Sequence, residues 1–125
     1  MNLGWCDACL NVKNLKSSRA FYEELGLKVA EGNWEDKYFV MYNGAIRIGL
    51  YEGHFEGFMV NFRGGDVLAN AKLLEEKGLT LQGDLNVEQY ESNAATFLDP
   101  DGNIIFLNTH PDELSAEYQK KIGVL

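Results

Sequence analysis

Apolar and polar positions along this chain keep two rhythms, and their order predicts the elements. Residues 5–12 alternate loosely and predict a first strand. Asn14 then offers an N-cap, and Leu15, Ala20, Phe21 and Leu25 follow at helical spacing up to Gly26. A helix over 15–25 follows from this. Three short strand-like runs come next, 28–31, 37–42 and 45–51, the last two joined by the Asn43-Gly44 turn. Residues 52–57 read as a linker. The pattern then restarts with a strand over 58–62, a turn and cap at Gly64-Gly65-Asp66, a helix over 67–77 before Gly78, and a weak strand over 80–82. Residues 93–98 and 103–108 form a hairpin around Asp99-Pro100-Asp101-Gly102. In it Pro100 presets φ at the first turn position and Gly102 supplies the positive φ that closes the turn. The tail, 111–122, reads as one short amphipathic helix with Pro111 and Glu113 near its start and Lys120 and Lys121 in its last turn.

The restart is visible in the residues themselves. Phe21-Tyr22-Glu23-Glu24-Leu25-Gly26-Leu27-Lys28-Val29 matches Leu73-Leu74-Glu75-Glu76-Lys77-Gly78-Leu79-Thr80-Leu81. The predicted fold is therefore α+β. It has two tandem βαβββ modules, about 5–52 and 57–110, forming a half-open barrel-like sheet around a cleft, with the C-terminal helix after them. Each half is too small to bury a good core alone, so 1–125 is read as a single domain.

Composition narrows the function classes. The net charge of −8 disfavours nucleic acid and anionic membrane partners, which need a basic footprint. No apolar run reaches the roughly 20 residues of a membrane span. The N-terminus carries neither a basic region nor a long apolar segment, which predicts no signal peptide and a cytoplasmic protein. Cys6 and Cys9 lie on a predicted strand, where residues three apart face opposite sides. Two unpaired, reduced thiols are expected rather than a redox or metal pair.

The doubled unit, the opening Leu10-Asn11-Val12-Lys13-Asn14-Leu15-Lys16-Ser17-Ser18-Arg19-Ala20-Phe21-Tyr22 and the closing Phe97-Leu98-Asp99-Pro100-Asp101-Gly102-Asn103 resemble the vicinal oxygen chelate superfamily. That group includes glyoxalase I, extradiol dioxygenases, and fosfomycin and bleomycin resistance proteins. The resemblance implies, in metal-dependent members, four ligands lining the cleft, typically His, Gln or Glu. They come from the first and last strands of each half. Carried across, those positions fall at Asp7, at Gly49 (or Ile48 with a one-residue shift), at Gly57 and at Phe106. Only Asp7 offers a donor. His54 and His110 are the chain's only histidines, one in the predicted linker and one past the last strand. The resemblance thus implies a metal-free member with no cofactor.

Face parity places Trp5, Asp7, Cys9, Arg47, Gly49, Tyr51, Gly57, Met59, Asn61, Ile104, Phe106 and Asn108 toward the cleft, with Trp34 and Tyr38 near its rim. This apolar, aromatic surface with a few polar groups suits a small-molecule pocket. The ligand-binding set is accordingly Trp5, Asp7, Cys9, Trp34, Tyr38, Arg47, Tyr51, Met59, Asn61, Phe106 and Asn108. A plainer reading stands beside it: Trp5, Met59 and Phe106 fill the cleft as core, Arg47 is solvated at an edge, and Asp7 pairs locally. Similarity to the bleomycin resistance members implies a homodimer that sequesters a small, cationic or drug-like ligand. A cation would suit both the net charge and the tryptophans. The alternative is a glyoxalase- or dioxygenase-like metalloenzyme with a non-standard metal site.

Overall fold

The computed structural model describes residues 1–82 and 93–125. Its elements are β1 (Gly4–Asn11), α1 (Leu15–Glu24), β2 (Lys28–Asn33), β3 (Tyr38–Asn43), β4 (Ile46–Tyr51), β5 (Phe58–Gly64), α2 (Val67–Glu76), β6 (Asn93–Leu98), β7 (Ile104–Thr109), a 3-10 turn (Pro111–Leu114) and α3 (Ala116–Lys121). The fold is α+β, with a mixed sheet of seven strands in the order β2-β3-β4-β1-β5-β7-β6. No helix of the described residues is long and apolar enough to cross a membrane.

The chain forms two compact units. The first unit holds Asp7–Phe58 and Ala116–Leu125, and the second Met1–Cys6 and Met59–Ser115. In the first, β1 runs parallel to β4, while β3 is antiparallel to both β4 and β2. One sheet face packs Phe39, Met41 and Leu50 under α1 with Leu15 and Leu27, joined by Leu10, Val12, Tyr22 and Ile48. α1 forms where its caps predict. Asn14 accepts from the Ser17 amide at 3.0 Å, and Glu52 Oε1 accepts from the Leu15 amide at 3.1 Å.

In the second unit β5 runs parallel to β7 and β6 antiparallel to it. Val67 and Ala71 of α2 pack on Ala95, Phe97 and Leu107, with Leu3, Phe62, Leu74, Leu81 and Ile105 around them. Asp66 caps α2 by accepting from the Ala69 amide at 3.0 Å. The hairpin turn at 99–103 is held by Asp99, whose backbone carbonyl accepts from Gly102 and whose side chain accepts from the amides of Asp101 and Asn103.

Three expectations are corrected. The strand predicted from residue 37 begins at Tyr38, because Lys37 has φ 57° and belongs to the turn that precedes it. The strand predicted over 80–82 is reduced to one bridge, Gln82 to Thr96. The tail is not one helix: Ser115 is extended (ψ 143°), so a 3-10 turn precedes the six-residue α3. The break lets residues 111–114 belong to the second unit and residues 116–125 to the first.

Candidate functional site

Strand register decides which side chains share the sheet face opposite each helix. In the first unit Cys9 pairs with Gly49, Asn11 with Tyr51, Val40 with Gly49, Tyr38 with Tyr51 and Tyr42 with Arg47. Asp7 and Arg47 meet on this face. Arg47 Nε donates to Asp7 Oδ1 at 2.7 Å, and both side chains are almost wholly buried. The plainer reading of Arg47 as a solvated edge residue is therefore corrected: a guanidinium on this face must find acceptors, and it has them. Its Nη1 also donates to the Ile122 carbonyl, which comes from the tail after α3. Tyr118 of α3 donates to Glu31 Oε2 at 2.6 Å, and Ile122 is buried. The tail thus covers the part of this face around Arg47.

Beside that pair the face turns aromatic. Tyr38 and Tyr51 stack, with ring centroids 5.4 Å apart and planes 11° from parallel. His54 meets both edge-on, and Phe55 leans on Tyr51. Gly49 lies under this group: a Cβ there would stand 2.6 Å from the Tyr51 ring and 3.2 Å from Cys9 Sγ. The position carried across as a metal ligand is therefore the floor of an aromatic stack. Cys9 is buried and its thiol contacts the Asp7 carbonyl at 3.7 Å, while Cys6 is exposed; neither forms a disulfide. Trp34 is not placed with Tyr38. It packs edge-on against Phe39, with the Arg19 guanidinium 5.2 Å from its ring centroid, and it is 53% exposed. Phe39 belongs to the core under α1, so Trp34 serves that side of the sheet.

In the second unit Met59 pairs with Ile104, Asn61 with Phe106 and Arg63 with Asn108, so these six share one face. Met59, Ile104, Phe106 and Asn108 are half-buried, while Asn61 is buried. Among the described residues, the buried Asn61 Oδ1 and Asn108 Oδ1 find no hydrogen-bond partner. At the end of the face Arg63 Nη2 donates to Glu113 Oε1 at 2.8 Å, again between buried side chains. Trp5 packs its ring on Gly64, and its buried Nε1 likewise finds no acceptor among the described residues. Sequence reasoning missed Arg63 and Glu113. In the sequence Glu113 is a residue near the start of the tail helix, and nothing local signals a partner fifty positions away.

Among the described residues, the carried-across positions do not bring together the donors a metal needs. At the four positions stand Asp7 held by Arg47, Gly49 under Tyr51, Gly57, and Phe106 beside Asn61. His54 Nε2 is engaged with the Asp36 carbonyl at 2.7 Å, and His110 is exposed before the 3-10 turn. Among the described residues no group of three or more His, Cys, Asp or Glu is placed to hold an ion. The residues do not fit the metal that the fold carries in its metal-dependent members. A separate apolar cavity of about 580 Å³ lies on the helix side of the second unit, between Phe62, Leu74, Leu79, Phe97, Ile105 and Leu107. Its lining runs from the core residues Phe97 and Leu107 out to the exposed Met1, Leu79 and Leu98.

No protein-family model and no curated protein matches the sequence. Solved structures do. A glyoxalase/bleomycin resistance protein/dioxygenase superfamily member from Vibrio splendidus 12B01 superposes with TM-score 0.64 at 12% identity, over 83% of this chain and 97% of that one. Streptomyces coelicolor methylmalonyl-CoA epimerase gives 0.62 at 21% identity, over 88% and 99%. A protein described as an NAD-dependent benzaldehyde dehydrogenase from Legionella pneumophila gives 0.69 at 16% identity, over 84% and 98%. The chain has the fold of the vicinal oxygen chelate superfamily. Identities this low show a shared fold, and the differing descriptions of the three show how little the fold says of activity.

Proposed function

We propose that this chain is a metal-free small-molecule-binding protein of the bleomycin resistance type, working as a homodimer that sequesters a small cationic ligand. One observation carries the reading. The single carboxylate at the four ligand positions, Asp7, is held by Arg47 at 2.7 Å inside the first unit. An ion competing for Asp7 would have to displace a buried guanidinium and leave it unpaired, which costs about 3–5 kcal/mol. The aromatic stack over Gly49 and the net charge of −8 favour a flat or cationic organic ligand. Exposed Phe21, Leu25 and Trp34 on the first unit offer apolar surface to a second copy.

The test is a thermal-shift screen of cationic aromatic compounds run with and without chelator, beside metal analysis of the purified protein. Chelator should leave the melting temperature unchanged, and a ligand present at 100 times its Kd should add about 2.7 kcal/mol of stability. Stoichiometric nickel, zinc, manganese or iron would overturn the metal-free reading. Sedimentation showing a monomer at micromolar concentration would overturn the dimer.

A further inference from the structure

We propose that the cavity on the helix side of the second unit binds an aliphatic chain whose polar head carries no negative charge, a long-chain alcohol being the simplest case. The site goes beyond the function proposed above. Its lining includes none of the four carried-across metal positions and none of the aromatic stack over Gly49.

The two modules show that this space is particular to one of them. Their matching segments put Leu74 where the first module has Tyr22, and Leu79 where it has Leu27. Tyr22 packs on the core under α1, and Leu27, 5% exposed, is part of that core. In the second module the smaller Leu74 takes the place of the tyrosine ring, and Leu79 stands 41% exposed at the cavity. Where the first module fills its helix–sheet layer, the second leaves about 580 Å³. Protein interiors hold few voids larger than a water molecule, and this volume is that of a ligand pocket.

The lining decides the ligand. Phe97 and Leu107 form a buried floor, with Leu3, Phe62, Leu74 and Ile105 around it. Water finds few partners on such walls, while a hydrocarbon gains by leaving solvent for them. A dry cavity of about 150 Å³ holds benzene, so this one takes a body the size of an octyl chain. Polar groups come from the exposed Thr80 and Gln82, whose hydroxyl and amide suit an alcohol head. Asp99 is the one charged side chain of the described lining. Its hydrogen bonds with Asn103 keep it ionised, so it opposes a carboxylate head on the same chain.

The experiment is calorimetric titration of the full-length protein with 1-octanol, with 1-hexanol and octanoate for comparison. 1-Octanol should bind once per chain. Removing two methylenes should weaken binding about tenfold. Octanoate should bind at least about tenfold more weakly than the alcohol. Leu74→Tyr restores the residue of the first module and fills the cavity, and Leu79→Trp closes it from the exposed rim. Each should lower 1-octanol affinity tenfold or more, with the melting temperature at or above that of the parent. Leu79 is exposed, so its variant carries the test even where Leu74→Tyr overpacks. The site is overturned if 1-octanol shows no saturable binding, or binds Leu79→Trp as it binds the parent. Octanoate binding as tightly as the alcohol would overturn the head-group assignment. Failure of this site leaves the proposed function standing, because that is tested with cationic aromatic compounds.

Discussion

Replacing Arg47 by Met would keep most of its length and take the guanidinium away from the buried Asp7 carboxylate. Removing one partner of a buried ion pair costs about 3–5 kcal/mol, because the other charge stays desolvated. Urea unfolding of Arg47→Met should show a loss of that size. The double variant Asp7→Leu, Arg47→Met should recover much of it, since a well-packed apolar pair often does as well as a buried ion pair. A loss below about 1 kcal/mol, the range of surface pairs, would mean that water reaches Asp7. Asp99 behaves differently, because it works at the surface of the hairpin turn. The side-chain hydrogen bond from Asn103, then the backbone amides of Asn103, Asp101 and Gly102, hold its carboxyl below the ordinary aspartate value. A depressed carboxyl pKa adds stability above its unfolded value, about pH 4, and that stability is lost as pH falls through the lower folded value. Asp99→Asn should therefore be less stable than the parent near neutrality, and the gap should close in acid. A gap that stayed constant across that range would show that the charge contributes nothing.

Elements were legible in the sequence wherever their signals are local. Asn14 and Asp66 cap their helices as their positions predict, and the Asp99–Asn103 turn closes as its Pro and Gly require. Parity put Tyr51 on the cleft side and the topology put Tyr38 near its rim; the register pairs the two and their rings stack. What failed depended on distant partners. Trp34 was drawn to Phe39 and Arg19 on the α1 side, and Glu113 to Arg63 fifty positions earlier. The tail reads as one helix because Pro111 and the two lysines fit one, yet Ser115 turns extended and the chain resumes as α3 in the other unit. Past α3, Gly123 has φ 83°, and a Cβ there would stand 2.4 Å from the Tyr42 ring. Gly123→Ala should cost about 1–3 kcal/mol through overpacking, and more through its positive φ. A neutral result in urea unfolding would show that the tail does not sit on Tyr42 in solution.

At the scale of the whole chain, the tail is where sequence order and structural unit part company. Residues 116–125 follow the whole second unit in sequence but belong to the first. They bring Ile122, which is buried, an acceptor for Arg47, and the Tyr118 bond to Glu31. Burying one Ile side chain contributes about 1.5–3 kcal/mol. A hydrogen bond to a charged group adds about 1.5–3 kcal/mol. Together these are a large share of the 5–15 kcal/mol that usually holds a domain. A chain ending at Ser115 should therefore unfold at markedly lower urea concentration. The damage should also be one-sided. Hydrogen exchange should quicken at β3 and β4, whose Tyr42–Arg47 pair the tail covers, while β5 and β7, tied to Glu113 through Arg63, keep their protection. Equal loss in both sets of strands would mean that the two units unfold as one cooperative body, and the tail would then be a support for the entire fold rather than for the face it covers.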